Sequence, residues 1–308
     1  MVKENRRRIV MDIQFAKELM EKTGFPREAV EELLSQGEKL TFEPLKGEFE
    51  ALLGTYRDNN FQGSAIQEKV EALAKHAGMH PYTLWLLVLI ECAGRAKPKY
   101  MAKGVSEKVF WDTFEDLKYK LWECWNNYGI WGNFVAFWYG IFFRADIVKL
   151  GRLEFENNQY DPETPYVCGD ITVRKGDPVV SIHIPSSGEP FDRASVMESL
   201  KLAHAFFGKE ILICKCHSWL LYPGYEEVWP MGGNVRDFRA LFDVVSFADS
   251  EEFGDGWRVF AAAWGCESKN LPEKTSMHRA FKKHILSGGK FGDGYGMLLF
   301  DGEKIINR

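Results

Sequence analysis

The chain has 308 residues, 45% hydrophobic and 27% charged, long enough to bury two cores and too apolar for a disordered polymer. Its formal net charge of -5 gives no general attraction to phosphate backbones, so nucleic acid is not an expected partner. The apolar runs 84–90 and 130–143 are shorter than the ~18 residues a membrane-spanning helix needs, and no membrane role is expected.

In chain order, the first feature is the basic cluster Arg6-Arg7-Arg8, which reads as a solvated tail. From 11 to about 127 the apolar spacing is helical, with Phe15, Leu19 and Met20 on one stripe and Val70, Leu73, Ala74 and Ala77 on another. Punctuation agrees: Ser64 precedes Gln67 at capping-box spacing, Pro26 and Pro81 suit first turns, and Gly24, Gly37 and Gly78 suit helix ends. Between 109 and 143 lie Trp111, Trp122, Trp125, Trp131 and Trp138, residues that pack helices together or line an acyl or aromatic pocket.

Near 144–151 the pattern changes to short apolar runs bounded by Gly, Pro, Asp and Asn, dividing a helical domain at 1–147 from an α/β domain at 148–308. Strands are expected at 153–155, 166–173, 179–184, 211–221, 238–247, 257–264 and 296–300, with Lys175-Gly176-Asp177 as a hairpin turn. Helices at 192–207 and 275–286 interrupt them, giving the order β-β-β-α-β-β-β-α-β. The glycine-rich stretch 288–296 reads as a mobile loop. Six cysteines are scattered through the chain and no apolar signal stretch follows the initiator Met, which points to a reducing cytoplasm.

Several segments resemble a bacterial family in which an N-acyltransferase N-terminal domain precedes a GNAT-like C-terminal domain. They are residues 150–156 (LGRLEFE), Ile182-His183-Ile184-Pro185 followed by Gly188, and Cys216-His217-Ser218-Trp219-Leu220-Leu221 with Pro223. Asn234 with Phe238, and Leu271-Pro272-Glu273 with Thr275-Ser276, continue the likeness, which covers most of the chain. The resemblance implies an α+β protein: an all-helical N-terminal domain, then a GNAT-like mixed sheet flanked by helices. It further implies an N-acyltransferase that takes acetyl-CoA or another acyl-CoA as co-substrate and a small-molecule amine as acceptor.

In GNAT proteins acyl-CoA lies where two neighbouring parallel strands splay, its pyrophosphate held by backbone N–H groups of the loop that opens the next helix. The matching element here is the strand 179–184 with the loop 185–190, in which Ile184, Ser186, Ser187 and Gly188 are the candidate cofactor-binding residues. The loop departs from the usual pattern, having one glycine, two prolines and Glu189, and an ordinary strand-to-helix turn with Asp192 as N-cap is the equal alternative.

An amine acceptor must lose a proton, and an imidazole suits that work. His217 is the first candidate base and His183 the second, each near the carboxyl end of its strand, where ligands collect in open α/β sheets. Glu226, with Glu227, is the candidate for binding or relaying the proton of the amine. Strand alternation sends Cys214 and Cys216 to the face opposite His217, which argues against a metal site and against a cysteine nucleophile. The alternative from a different class is a non-catalytic GNAT-like scaffold for sensing a ligand or binding a partner.

Overall fold

The computed structural model describes residues 11–307, so the Arg6-Arg7-Arg8 cluster lies outside the described residues. The chain divides between Asp146 and Ile147 into two compact units.

The first unit is helical: α1 (Ile13–Thr23), α2 (Arg27–Lys39), α3 (Leu45–Asp58), α4 (Gln67–Ala77), α5 (Pro81–Ala102), α6 (Glu107–Phe114), α7 (Asp116–Tyr128) and α8 (Gly140–Phe143). The Asp12 carboxylate caps α1 by accepting from Phe15 N at 2.9 Å, and Gly24 closes it in the left-handed region at φ 73°, where a side chain would be strained. Pro81 opens α5, where its missing N–H removes one of the donors a first turn leaves unpaired, and the His80 side chain accepts from Tyr82 N.

α5 is apolar around its whole circumference from Leu84 to Ile90, which marks a helix enclosed on every side. Helices α1, α2, α4, α6, α7 and α8 all pack on it. The one carboxylate in this stretch, Glu91, accepts from Arg95 at 2.8 Å and from Asp12 N at 2.9 Å, so a buried charge keeps partners. Two expected punctuation marks fall differently. Gly37 lies inside α2, where an added Cβ would press on Ile13 and Leu87, and Ser64 belongs to a separate 3-10 turn, leaving α4 without a side-chain cap.

The second unit contains β1 (Ile147–Leu150), β2 (Leu153–Gln159), β3 (Tyr166–Cys168), β4 (Ile171–Val173) and β5 (Pro178–His183), then α9 (Arg193–Phe207) and β6 (Leu212–Ser218). These are followed by α10 (Asn234–Arg239), β7 (Asp243–Ser250), α11 (Gly256–Phe260), α12 (Ser276–Leu286) and β8 (Phe291–Phe300). Six strands form one sheet in the order β1-β2-β5-β6-β8-β7, while β3 and β4 form a separate hairpin. Only β5 and β6 run parallel, so the sheet is mixed.

The β3–β4 hairpin covers one face, where Tyr166 and Val173 join Val179, Tyr295, Met297 and Leu299. Helix α9 covers the other: His204 meets Phe300 edge-on at 6.0 Å, and Phe300 pairs with Leu212 on the side that also carries Cys214 and Cys216. A third cluster, rich in aromatic rings, gathers Tyr222, Tyr225, Trp229, Phe253, Phe260 and Phe281 beyond the ends of the strands.

Five expectations are corrected here. Residues 166–173 are not one strand but β3 and β4, folded back on each other as a hairpin. Residues 257–264 are α11 and a 3-10 turn, not a strand. Residues 238–247 divide between the end of α10 and the start of β7. The 175–177 segment is a turn, closed by Asp177 N to Arg174 O at 2.9 Å, but it links the small hairpin to the large sheet and joins no paired strands. The glycine-rich stretch is strand β8, which lies between β6 and β7. Its glycines alternate, so Gly292, Gly294 and Gly296 leave one face bare, and Leu221, Tyr222 and Phe242 lie directly on it.

A methyl group at Gly294 would fall 2.6 Å from the Leu221 carbonyl carbon, and overpacking of this kind costs about 1–3 kcal/mol. Gly54 in α3 has nothing within 4 Å of a Cβ, and alanine there gains about 1 kcal/mol of helix propensity. Urea unfolding midpoints should therefore move down for Gly294→Ala and up for Gly54→Ala. Equal midpoints would refute the close approach on β8.

Candidate active site

The site is built on a gap between two strands. β5 and β6 pair only through Val180 with Cys214 and Ser181 with Lys215. Beyond those residues β5 stays with β2, and β6 stays with β8 as far as Ser218. The parallel ladder ends while both strands continue, and backbone polar groups facing the opening need another partner or water.

Register sets what surrounds this opening. Lys149 is opposite Glu154, Glu154 opposite His183, and His217 opposite Tyr295. Because Ser181 is level with Lys215, His183 and His217 fall in one cross-sheet row on one face, on either side of the gap. Each has its own acidic neighbour. His183 Nε2 is 2.9 Å from Glu156 Oε2 with side chains 23% and 13% exposed, whereas His217 Nε2 is 4.0 Å from Asp293 Oδ2 with side chains 61% and 49% exposed.

The loop after β5 is held from one side. Arg152 Nη1 donates to Pro185 O at 2.9 Å and Arg152 Nε to Glu189 O at 3.3 Å, and the guanidinium stacks on Phe191. Lys149 Nζ donates to Glu189 Oε2 at 3.1 Å, so the carboxylate that would repel a phosphate is matched by a buried ammonium. Of the candidate cofactor residues, Ile184 packs against the aromatic cluster and Ser186 is exposed. Ser187 Oγ accepts from Glu189 N at 3.3 Å, and Gly188 takes φ 73° with open space around it.

α9 begins with a capping box between Asp192 and Ser195. Backbone N–H groups of Ser195 and Ala194 hold the Asp192 carboxyl below its ordinary range. The helix terminus therefore already carries a carboxylate, which occupies the N–H groups that would otherwise face an incoming anion.

Glu226 lies elsewhere. It follows the 3-10 turn Pro223–Tyr225, is exposed, and pairs with Arg239 at 3.8 Å. His217 instead borders a cleft of about 790 Å³ together with Tyr160, Tyr166, Phe247 and Tyr295. Glu156 and Asp293 escaped the sequence reading. The alternation of Glu154 and Glu156 against Leu153 and Phe155 announces a strand face with carboxylates, but only the pairing of β2 with β5 brings Glu156 to an imidazole.

Cys214 and Cys216 are buried on the opposite face of β6, where burial raises the Cys216 thiol to about 12. At neutral pH such a thiol is almost wholly protonated and a poor nucleophile.

Residues 14–145 match the N-acyltransferase N-terminal domain family and residues 147–298 the GNAT-like C-terminal domain family. No curated protein matches the sequence. Among solved structures, an acyltransferase in complex with decanoyl-CoA and teicoplanin superposes with a TM-score of 0.65 at 20% identity, covering 92% of this chain and 86% of that one. An acyltransferase mutant in complex with octanoyl-CoA gives 0.66 at 20% identity, covering 92% and 87%. A third, an acyltransferase in complex with decanoyl-CoA, gives 0.67 at 18% identity, covering 92% and 86%. At these identities the likeness is one of fold.

The thiols offer a direct check on the site's geometry. Cys266 is exposed, Cys168 is half-buried, and Cys92, Cys124, Cys214 and Cys216 are buried. A thiol reagent at pH 8 should modify Cys266 first and leave Cys214 and Cys216 intact until the chain unfolds. Denaturant should release the labelling of Cys214 and Cys216 together with unfolding, since burial both keeps the reagent out and holds the thiols protonated. Fast labelling of Cys216 at pH 7 would reopen the nucleophile reading.

Proposed function

We propose a reaction for a chain that belongs, by both halves of its sequence, to the family joining an N-acyltransferase N-terminal domain to a GNAT-like C-terminal domain: it moves an acyl group from a CoA thioester directly to an amine. The observation that carries this reading is the parting of β5 and β6 beside the loop 185–190. The decanoyl-CoA and octanoyl-CoA bound by the superposing acyltransferases support acyl chains longer than acetyl.

In this reading the thioester enters through the gap, with the pyrophosphate on the N–H groups of Ser186, Ser187 and Gly188. Those groups are presented by a loop that Arg152 and Lys149 hold in place. No metal is required for any step.

The imidazole best suited to the base is His183. It is half-buried beside the gap, and Glu156 at 2.9 Å fixes its ring, as an orienting carboxylate does in other base dyads. With Nε2–H donated to Glu156, the basic lone pair is on Nδ1. His183 takes a proton from the ammonium, and the freed nitrogen attacks the thioester carbonyl. The new C–N bond forms, the C–S bond breaks, and the CoA thiolate leaves with the second proton of the amine nitrogen. His217, on the open side of the row, is left to meet the acceptor.

Binding to the native state alone raises the thermal midpoint, by about 2.7 kcal/mol of stabilisation at a ligand concentration of 100 Kd. Decanoyl-CoA, octanoyl-CoA or acetyl-CoA should therefore shift the midpoint by several degrees, and Ser187→Trp with Gly188→Trp should abolish the shift. His183→Ala should keep the shift and lose about 10²–10⁴-fold in turnover with an amine, the usual contribution of a general base. No shift with any thioester at saturating concentration would sink the enzyme reading in favour of a GNAT-like scaffold without catalysis.

A further inference from the structure

The six-stranded sheet has two edges of different character. β1 is buried at all four of its residues, whereas β7 pairs only with β8 among the described residues and is exposed at six consecutive positions, Val245 to Ser250. Unbroken exposure is not the alternation of a strand with one covered face. The edge itself meets solvent, and every second residue turns its N–H and C=O away from β8. Natural edges are commonly blocked by lysine or proline, and β7 carries neither. Its two carboxylates are engaged by their own fold: Asp243 accepts from Tyr166 OH, and Asp249 accepts from Tyr222 OH and Lys290 Nζ, each at 2.6 Å. A bulge between Val244 and Ser246 precedes a regular ladder from Ser246 to Ser250.

Register decides what an added strand would meet on each face. Ser246 and Ala248 are opposite Tyr295 and Asp293 and share the face of His217. There the cleft of about 790 Å³ between β7 and the 160–167 segment is lined by Asp161 and Glu163 and by no Lys or Arg. Phe247 is opposite Gly294 on the other face, 60% exposed beside Tyr222.

The charge around this edge is acidic. Lys215 engages Asp161, Lys175 engages Glu163 and Lys290 engages Asp249, so each ammonium is spent on one carboxylate. Glu251 and Glu252, exposed just past the strand, form no ion pair among the described residues. The same charges disfavour a second copy of β7. Of the two antiparallel registers that engage most of the strand, one sets Asp243 opposite Asp249 of the second copy and the other sets it opposite Glu251, and like charges directly opposite destabilise a pair.

We infer that the free edge of β7 docks an extended segment of another polypeptide in which lysine or arginine alternates with an apolar residue. Its backbone adds a strand to the sheet, its basic side chains lie over Ser246 and Ala248 toward Asp161, Glu163 and Asp293, and its apolar side chains cover Phe247. Such docking is independent of acyl transfer, because β7 lies two strands from β6.

The full chain is tested by calorimetry with a blocked Lys-Val-Lys-Val-Lys-Val peptide, its Glu-Val counterpart, and two isomers of the Lys-Val peptide N-methylated either at the three lysines or at the three valines. The Lys-Val peptide should bind about ten-fold more tightly than the Glu-Val peptide, with the advantage shrinking as salt is raised. Alternate residues point their N–H groups to opposite sides of a strand, so one methylated isomer should keep its affinity and the other should lose about ten-fold. Ala248→Lys should weaken the Lys-Val peptide about ten-fold, and so should Glu251→Lys with Glu252→Lys, which lies beyond the ladder and leaves the thermal midpoint unchanged. Equal binding of the two methylated isomers, a Glu-Val peptide that binds as tightly, or an Ala248→Lys variant that binds as the parent does, overturns the docking site. A dimer in sedimentation that Ala248→Lys dissociates gives the edge to a second copy and overturns it too. Binding seen only after removal of residues 1–10 assigns the edge to the chain's own Arg6-Arg7-Arg8 segment and likewise rules out another polypeptide.

Discussion

Everything distinctive in the second unit follows from one parallel ladder that ends too soon. Two residue pairs join β5 to β6, and each strand is then claimed by an antiparallel partner on its far side. The energetic consequence is a row of backbone groups without strand partners inside an otherwise continuous sheet, a state that sheets avoid unless something else satisfies those groups. Holding the strands apart requires filling their ends. Ile184 and Trp219, the residues just past each strand, both pack into the aromatic cluster around Tyr225 and Phe281. That cluster fills the space beyond both strand ends with rings drawn from 3-10 turns and from α11 and α12.

The face that bears the imidazoles is unusually charged for a sheet interior. Lys149, Glu154, Ser181 and Lys215 are all buried there, and Lys215 donates to Gln159 O at 2.8 Å as well as to Asp161. Buried charges are tolerated when paired and are weak contributors to net stability. Their pairing in adjacent rows therefore offsets the cost of burial and adds little to the strength of the fold. Arg152 and Lys149 do double service, since they neutralise this region and fix the 185–190 loop.

The helical first unit was largely legible because a period of 3.6 repeated over eleven or more residues is hard to mistake, and because Gly24 and Gly78 both occupy left-handed caps. Short segments failed where an apolar run of eight residues suits a strand or a helix equally: 257–264 is such a run, and in the structure it is a helix and a turn with Phe260 stacked on Trp264 at 5.8 Å. The second half of β8, 296–300, was read as a strand, whereas its first half was hidden by glycine's preference for loops, although glycines at every second position are the mark of one bare strand face. The placing of His183 and His217 near the carboxyl ends of neighbouring strands was legible because each lies in a readable apolar run. Glu156 and Asp293 were not, because strand register joins residues distant in sequence, and no local pattern encodes it.

The position of β8 also bears on how the molecule is made. Its neighbours β6 and β7 precede it in the chain, yet they are not paired with each other, and their ladders are completed only by residues 291–300. During vectorial synthesis both therefore emerge as open edges, with Leu212, Cys214 and Cys216 of one and Val244 of the other awaiting a partner still inside the ribosome. For that interval the chain presents one open edge of β6 and an unpaired β7 to other polypeptides nearby. The sheet is therefore closed last, by the strand nearest the carboxyl end of its fold.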